Sequence, residues 1–510
     1  MPASDNAQRL LESTKNFNLF QGFPYNLYSY EQPFSEEEQR LIAYFSRFLS
    51  RKLVLSELKT KVPEVAKGNF LEELQTDLIQ HIEVEQLVQR LPTEEEFNEL
   101  KELLAKMLAN NFKNIKDINA VAEAILDKSI GFGVLSELKR DPSLEEIMVN
   151  GNNQSVFVFH RKHGMCKTNI TISKDQLELL INRIAFSVNK RLDENSPLLD
   201  ARLPDGDRAN ATYSSVTPLG FTLTIRKFSN VPYSIIDLIS SRTLSLASAA
   251  FLWIMVEGLK LDPMNLIVTG GAGSGKTTLV NTLVSFIPYN NRLITLEDTL
   301  ELDLGSRENS VRLESVTKAP MEDLLVNSLR MRPDRIIVGE VRGPEAQTLF
   351  TAMDTGHKGI LGTFHSNSSK EMLSRLKTAP MNVPESLLPL LDLSIVMVKM
   401  HDRNKGVIRR VKEIAEISRM EDKVLLSNVY EWNKNTDSVD RSDVPSHLLE
   451  VLAERSFMSK KQIKDELLIR LHILQWMLER GIREHHEVEK RVQQYYSEPE
   501  VLLKEVAKSY

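Results

Sequence analysis

The stretch Asn265-Leu266-Ile267-Val268-Thr269-Gly270-Gly271-Ala272-Gly273-Ser274-Gly275-Lys276-Thr277-Thr278, followed by LVNTLVSF to residue 286, decides the fold. A short apolar run that turns through a glycine-rich loop into a helical pattern is a strand–loop–helix unit, and the loop spells G-x-x-x-x-G-K-[ST] in its required setting. The glycines let backbone N–H groups wrap around phosphates without Cβ clashes, and the following helix adds its positive end. Lys276 is expected to reach the β and γ oxygens, and the Thr277 hydroxyl to ligate Mg²⁺. Residues Gly271, Ala272, Gly273, Ser274, Gly275, Lys276, Thr277 and Thr278 therefore form the expected cradle for ATP with Mg²⁺.

Around this unit, 235–440 alternates short apolar strands with helices, the pattern of a largely parallel sheet. LIV (266–268), LITL (293–296), RIIVGE (335–340) and ILGTF (360–364) are the clearest strands. Glu340 ends one of these runs, and Glu297 with Asp298 ends another. Both fall at strand carboxyl ends, where α/β sites gather. His365 ends a fourth run, which brings its ring towards a γ-phosphate. His357 stands eight residues earlier. Two histidines without cysteine partners make a poor zinc site, and His357 reads as a structural histidine.

Outside this region the texture changes. Residues 1–130 are expected to be mostly helical, with helix starts at Ser35 with Glu38 and at Thr93 with Glu96. From 131 to 230, VFVF (156–159), ITI (170–172) and FTLTIRKF (221–228) carry strand character around a helical 175–192, which predicts a small α/β domain. Residues 441–510 are expected to be a helical, charged extension. The apolar run TLSLASAAFLWIMV (243–256) is too short to span a bilayer and predicts a buried helix. The amino terminus lacks the basic and apolar regions of a signal peptide, so a cytoplasmic location is expected.

The 510 residues include 42% hydrophobic and 26% charged side chains and carry a net charge of −6. That composition suits an ordinary globular chain and argues against a dedicated nucleic-acid binder. The single cysteine, Cys166, excludes internal disulfides and tetracysteine zinc modules.

The segments GGAGSGKTT, LITLEDTLEL, SLRMRPDRIIVGEVRGPEA and TGHKGILGTFHSNS, in that order, resemble the Walker A, Asp box, Walker B and His box of the type II/type IV secretion ATPase superfamily. The resemblance covers roughly 131–420 and is greatest to the archaeal GspE branch. Thr299 stands where bacterial members usually carry proline.

The resemblance implies a RecA-like P-loop motor domain (231–440) joined by a short linker, about 228–235, to a smaller PAS-like α/β domain (131–230). It also implies a helical adaptor (1–130), and six subunits in a ring. The ring would sit peripherally at the cytoplasmic face of the membrane, hydrolyse ATP, and drive a secretion, pilus-like or archaellum-like filament through an integral membrane platform protein. It further implies that Glu297 orients or deprotonates the attacking water, that Glu340 holds Mg²⁺, and that His365 contacts the γ-phosphate. Which glutamate is the base stays open. Arg202, Arg208 and Arg226 match the stretches that supply transition-state charge, Arg208 first. Leu238 and Ile239 are weaker candidates for contact with adenine. A nucleic-acid-translocating or conjugation-type ATPase is the alternative, and a nucleotide-gated scaffold without turnover a third.

Overall fold

A computed structural model describes residues 9–52, 90–227, 232–305, 307–316, 318–402, 406–421 and 423–508. The chain divides into two compact units, Met1–Ser229 and Asn230–Tyr510. Half of the expected linker, residues 228–231, lies outside the described residues.

The first unit carries one mixed sheet. In chain order its strands are β1 (Leu10–Ser13), β2 (Phe17–Phe20), β3 (Asn26–Tyr30), β4 (Leu144–Val149), β5 (Ser155–His160), β6 (Gly164–Thr171), β7 (Leu198–Arg202), β8 (Arg208–Thr212) and β9 (Thr222–Arg226). They lie side by side as β1-β2-β3-β6-β5-β4-β9-β8-β7. Alternation in β5 and β6 buries every second residue, as period-2 geometry requires for a sheet with one covered face. The helix Lys174–Ser187 buries Leu177, Leu180, Ile181 and Ile184, and these join the core that β4–β9 contribute to. Cys166 is fully buried in that core and unbridged.

The amino-terminal region differs from the helical expectation for 1–130. Residues 10–30 form β1–β3, and β3 joins β6 in parallel through Asn26↔Cys166 and Tyr28↔Thr168. The reason is burial. Phe17, Leu19 and Tyr28 supply apolar and aromatic surface to the same core, which outweighs weak local propensity. Helices follow only from Glu36. Glu36–Lys52, Glu94–Asn111 and Ile118–Ser129 pack a separate small core around Ile42, Phe45, Leu104, Leu108 and Ile125. Both expected helix starts are present. Ser35 and Glu38 bond reciprocally, and Thr93 and Glu96 form a capping box.

The second unit is built on another sheet: β10 (Leu266–Gly270), β11 (Leu293–Glu297), β12 (Ser310–Glu314), β13 (Arg335–Val341), β14 (Leu361–Phe364), β15 (Leu393–Asp402), β16 (Gly406–Met420), β17 (Lys423–Asn433) and β18 (Ser438–Arg441). The order is β12-β11-β13-β14-β10-β15-β16-β17-β18. The ladder from β12 to β15 is parallel, and β15 to β18 turn antiparallel. β10 sits inside the sheet with all five residues buried, as a parallel strand covered on both faces must be. This is the RecA-like P-loop arrangement.

The apolar run at 243–256 is largely the helix Leu246–Glu257, buried from Ser248 onwards. The carboxyl-terminal helices are not a detached extension. His447–Arg455, Lys460–Glu479, His485–Ser497 and Pro499–Ala507 place Leu452, Leu474, Trp476 and Val492 in the same core as β10 and the helix 246–257. A buried Arg470–Glu257 pair at 2.7 Å ties the two together. Among the described residues, no helix is long and apolar enough to cross a membrane.

Candidate nucleotide site

The loop after β10 is shaped by steric demand. A Cβ on Gly270 would lie 2.5 Å from the Met397 carbonyl oxygen and 2.5 Å from Ser274 Oγ. Gly273 and Gly275 have φ of 66° and 94°, a region that costs other residues roughly 1–2 kcal/mol. Gly275 begins the helix Lys276–Val284 without a side-chain cap. The first backbone N–H groups of that helix are thus not taken by a capping side chain, as a phosphate site requires. Lys276 Nζ donates to the carbonyl oxygens of Gly270 (3.0 Å) and Gly271 (3.4 Å), so the ammonium lies inside the loop's curl. The Ser274 hydroxyl is buried and has no hydrogen-bond partner. A glycine curl with positive φ, an enclosed lysine and an orphaned hydroxyl fit a triphosphate. The Thr277 hydroxyl beside them fits Mg²⁺, which binds through one or two protein oxygens plus phosphate rather than through an all-protein cage.

The neighbouring strand is fastened to this loop. Thr269 Oγ1 lies 3.0 Å from the Ser366 carbonyl oxygen and 2.8 Å from its hydroxyl, and accepts the Ser366 N–H at 2.9 Å. His365 precedes that latch at the carboxyl end of β14 and is exposed. His357 stands before the amino end of β14, its Nδ1 3.3 Å from the Ala352 carbonyl oxygen. The two histidines therefore sit beyond opposite ends of β14 and cannot share a metal.

The two glutamates have different surroundings. Glu297 is 1% exposed. Its Oε2 accepts the N–H groups of Glu301 (2.6 Å) and Leu302 (2.8 Å), and its Oε1 accepts the Thr295 hydroxyl at 2.9 Å. Arg312 lies 3.5 Å away. Burial pushes its carboxyl above the usual glutamate range, against the donors of Leu302 and Glu301 and the charge of Arg312. Glu340 is half-buried and sits in an irregularity of the β13–β14 ladder between Val338 and Val341. Such a bulge re-aims side chains next to active sites. Arg342 joins the two acidic segments, at 2.8 Å from Asp298 and 4.0 Å from Glu340.

Arg202, Arg208 and Arg226 belong to the first unit and stand on one rung of its sheet. Arg202 opposes Arg208, and Arg208 opposes Arg226. Arg226 is followed across the sheet by Glu146, 4.0 Å away. Lys139 pins the intervening turn by contacting both Asp205 and Asp207. Arg202 and Arg208 also have further interactions within the fold. Leu238 and Ile239 differ from expectation. They are 7% and 8% exposed and pack into the hydrophobic core, because the helix Ile235–Ser240 turns its apolar face inward.

Sequence reasoning missed four cations here. Arg312 and Arg342 reach the acids, and Lys399 and Arg409 flank the loop. Arg409 Nε donates to the Gly273 carbonyl oxygen at 2.9 Å. Strand register alone brings Arg312 to Glu297 and Lys399 and Arg409 to the loop, so no local motif announces these three.

Fold and site together define a P-loop nucleotide-binding protein of the RecA type. Residues 123–422 match the model of the family described as "Type II/IV secretion system protein", and the chain belongs to that family. It is 35% identical over 384 residues to the uncharacterized protein MJ0900 of Methanocaldococcus jannaschii, covering 72% of this chain and 68% of that one. It is 44% identical over 310 residues to MJ0781 of the same organism, spanning 59% of this chain but only 42% of that protein's length. The conjugal transfer protein TrbB of Rhizobium radiobacter is 31% identical over 280 residues, covering 54% of this chain and 84% of TrbB. Among solved structures, the Legionella pneumophila ATPase DotB matches at 18% identity with a TM-score of 0.41, covering 67% of this chain and 90% of that one. A score that low transfers no residue roles.

Proposed function

We propose that this chain hydrolyses MgATP and couples it to work as a subunit of a hexameric secretion-type motor at the cytoplasmic face of a membrane. The observation that carries this is the convergence of the glycine curl with Lys276, the Thr269–Ser366 latch and two acidic strand ends on one edge of one sheet. Membership of the secretion family supports the same reading.

Lys276 and the helix amides would hold the phosphates, and Thr277 with Glu340 would hold the metal. Bound Mg²⁺ would neutralise charge on the phosphate oxygens and fix their geometry. Of the two acids, we assign the action on water to Glu340, a reading supported by the oxygens of Glu297 already accepting from their own loop. Glu297 is then a positioning residue that fixes segment 297–302. His365 detects the terminal phosphate, and the latch passes its displacement to β10. The arginine row, Arg208 first, supplies transition-state charge from a neighbouring subunit; such a finger is worth roughly 10³–10⁵ in rate. The cargo path runs through an integral membrane platform protein towards a secreted or filament-forming substrate.

The resemblance to conjugal transfer proteins favours a second reading, DNA translocation. Mixing Arg208→Ala chains with Lys276→Ala chains separates cis from trans action. Recovery of phosphate release supports a shared site between subunits, and no recovery over any ratio contradicts it. Stimulation by single-stranded DNA that fades with salt would favour the second reading.

A further inference from the structure

The antiparallel hairpin β15–β16 runs past the end of β10. Gly270 pairs with Met397, and β15 continues to Asp402 alongside the loop that follows Gly270. Lys399 and Arg409 oppose each other directly in this overhanging part, so both side chains leave the same face. The next residue, Arg410, faces the other way and is spent structurally: it is buried, bidentate to Asp437 at 2.7 and 2.9 Å, and bonded to the Ser241 carbonyl oxygen at 3.0 Å.

Lys399 and Arg409 both press on the glycine curl. Arg409 Nε donates to the Gly273 carbonyl oxygen at 2.9 Å. A Cβ on Gly273 would lie 3.3 Å from Lys399 Nζ, and one on Gly275 would lie 3.4 Å from Arg409 Cδ. Both side chains have other interactions in the fold, and each also brings a positive charge to the glycine curl, where an anionic ligand would meet it.

We infer that Lys399 forms a second, in-subunit cationic contact for the β- and γ-phosphates. Lys399 binds phosphate oxygen, and Arg409 acts as a positioning residue through the Gly273 carbonyl. The inference rests on reading the loop as the nucleotide site. It also gives the hairpin a role: any force on β16 or β17 reaches the phosphates through these two side chains.

The test uses the full chain and measures equilibrium binding of MgATP and MgADP across a range of NaCl concentrations, with thermal unfolding in parallel. A charge-assisted contact of this kind predicts that Lys399→Gln weakens MgATP binding roughly tenfold or more. The loss for MgATP is expected to meet or exceed that for MgADP, the salt dependence to flatten, and Lys399→Arg to restore most of the affinity. Arg409→Gln, acting through the loop, weakens both nucleotides alike. Wild-type affinity and salt slope in Lys399→Gln would overturn the inference. So would a fall in melting temperature with unchanged affinity, the mark of a purely structural lysine. If Lys399→Gln does not fold, Lys399→Arg carries the test, with retained affinity and salt slope supporting the contact and a loss matching Arg409→Gln opposing it. Failure of the wild-type chain to bind either nucleotide would instead remove the underlying reading of the loop.

Discussion

The junction between the carboxyl-terminal helices and the P-loop helix offers a prediction whose size follows from the structure. Arg307 and Glu489 are paired at 3.4 Å, with side chains 1% and 2% exposed. Arg307 also donates to the carbonyl oxygens of Val284 (2.9 Å), Ile287 and Pro288 (3.1 Å), the end of the helix that begins at Lys276. Its guanidinium thus caps the negative pole of that helix. Burial pushes Glu489 upward and Arg307 downward, each against the attraction of its partner, so the pair survives only as a pair.

Removing one member of a buried pair strands the other charge at about 3–5 kcal/mol. Glu489→Gln keeps the shape and leaves Arg307 its carbonyl partners, which places it near the lower figure. Arg307→Met loses those bonds as well, which places it near the upper one. The double variant Arg307→Met/Glu489→Leu strands no charge, so it should cost about 2 kcal/mol rather than the sum, since apolar replacement of such pairs is often close to neutral. Urea unfolding followed by tryptophan fluorescence reads this cleanly, because Trp253, Trp432 and Trp476 all lie in the second unit. A Glu489→Gln cost within about 0.5 kcal/mol of zero would refute the reasoning, as would additive behaviour in the double variant.

Three further outcomes are expected. Gly275→Ala places a Cβ at φ 94° and 3.4 Å from Arg409 and Met397; the chain should stay folded, lose roughly 1–2 kcal/mol, and no longer show nucleotide-induced thermal stabilisation. Thr269→Val removes the acceptor of the buried Ser366 N–H; it should cost about 1–3 kcal/mol in urea unfolding and lower phosphate release more than nucleotide affinity. Glu297 has a raised folded pKa, so native chains hold a proton that unfolded chains release. Its contribution is therefore present in acid and lost as pH climbs from about 4.3 through the folded value, by up to about 1.4 kcal/mol per unit. The stability difference between wild type and Glu297→Gln, measured by urea unfolding from pH 4 to 8, should drift in that direction; a flat difference would contradict the burial argument.

What the sequence made legible was what local chemistry dictates. The loop at 270–278 reads directly, because glycine is the residue that adopts the φ values at Gly273 and Gly275 without steric cost and because the strand and helix around it are continuous in the chain. Glu297, Glu340 and His365 read as strand-end residues for the same reason. Pairing across distance was hidden. β1–β3 are four or five residues each, and β3 finds its partner β6 about 140 residues later through Asn26↔Cys166, so their local texture could not signal a sheet. The antiparallel half of the second sheet likewise brings Lys399 and Arg409 to the loop only through register. The arginine row was found residue by residue, but its alignment on one rung needed the β7–β8–β9 pairing. Leu238 and Ile239 misled because an apolar helix beside a ligand site and one packed into the core have the same spelling. The carboxyl-terminal helices looked like an appendage because charged faces dominate 460–507, whereas Trp476 and Val492 enter the core.

The central claim is that the edge carrying Lys276 and Glu340 splits a phosphoanhydride bond. The most direct measurement is phosphate release from MgATP by the purified full chain, compared with its Glu340→Gln and Lys276→Ala variants under identical conditions, with nucleotide binding determined on the same samples. The expected result is turnover in the wild type, retained binding with loss of at least about a hundredfold in rate for Glu340→Gln, in the range of an acid–base group, and loss of both for Lys276→Ala. Phosphate release by Glu340→Gln at the wild-type rate would contradict it.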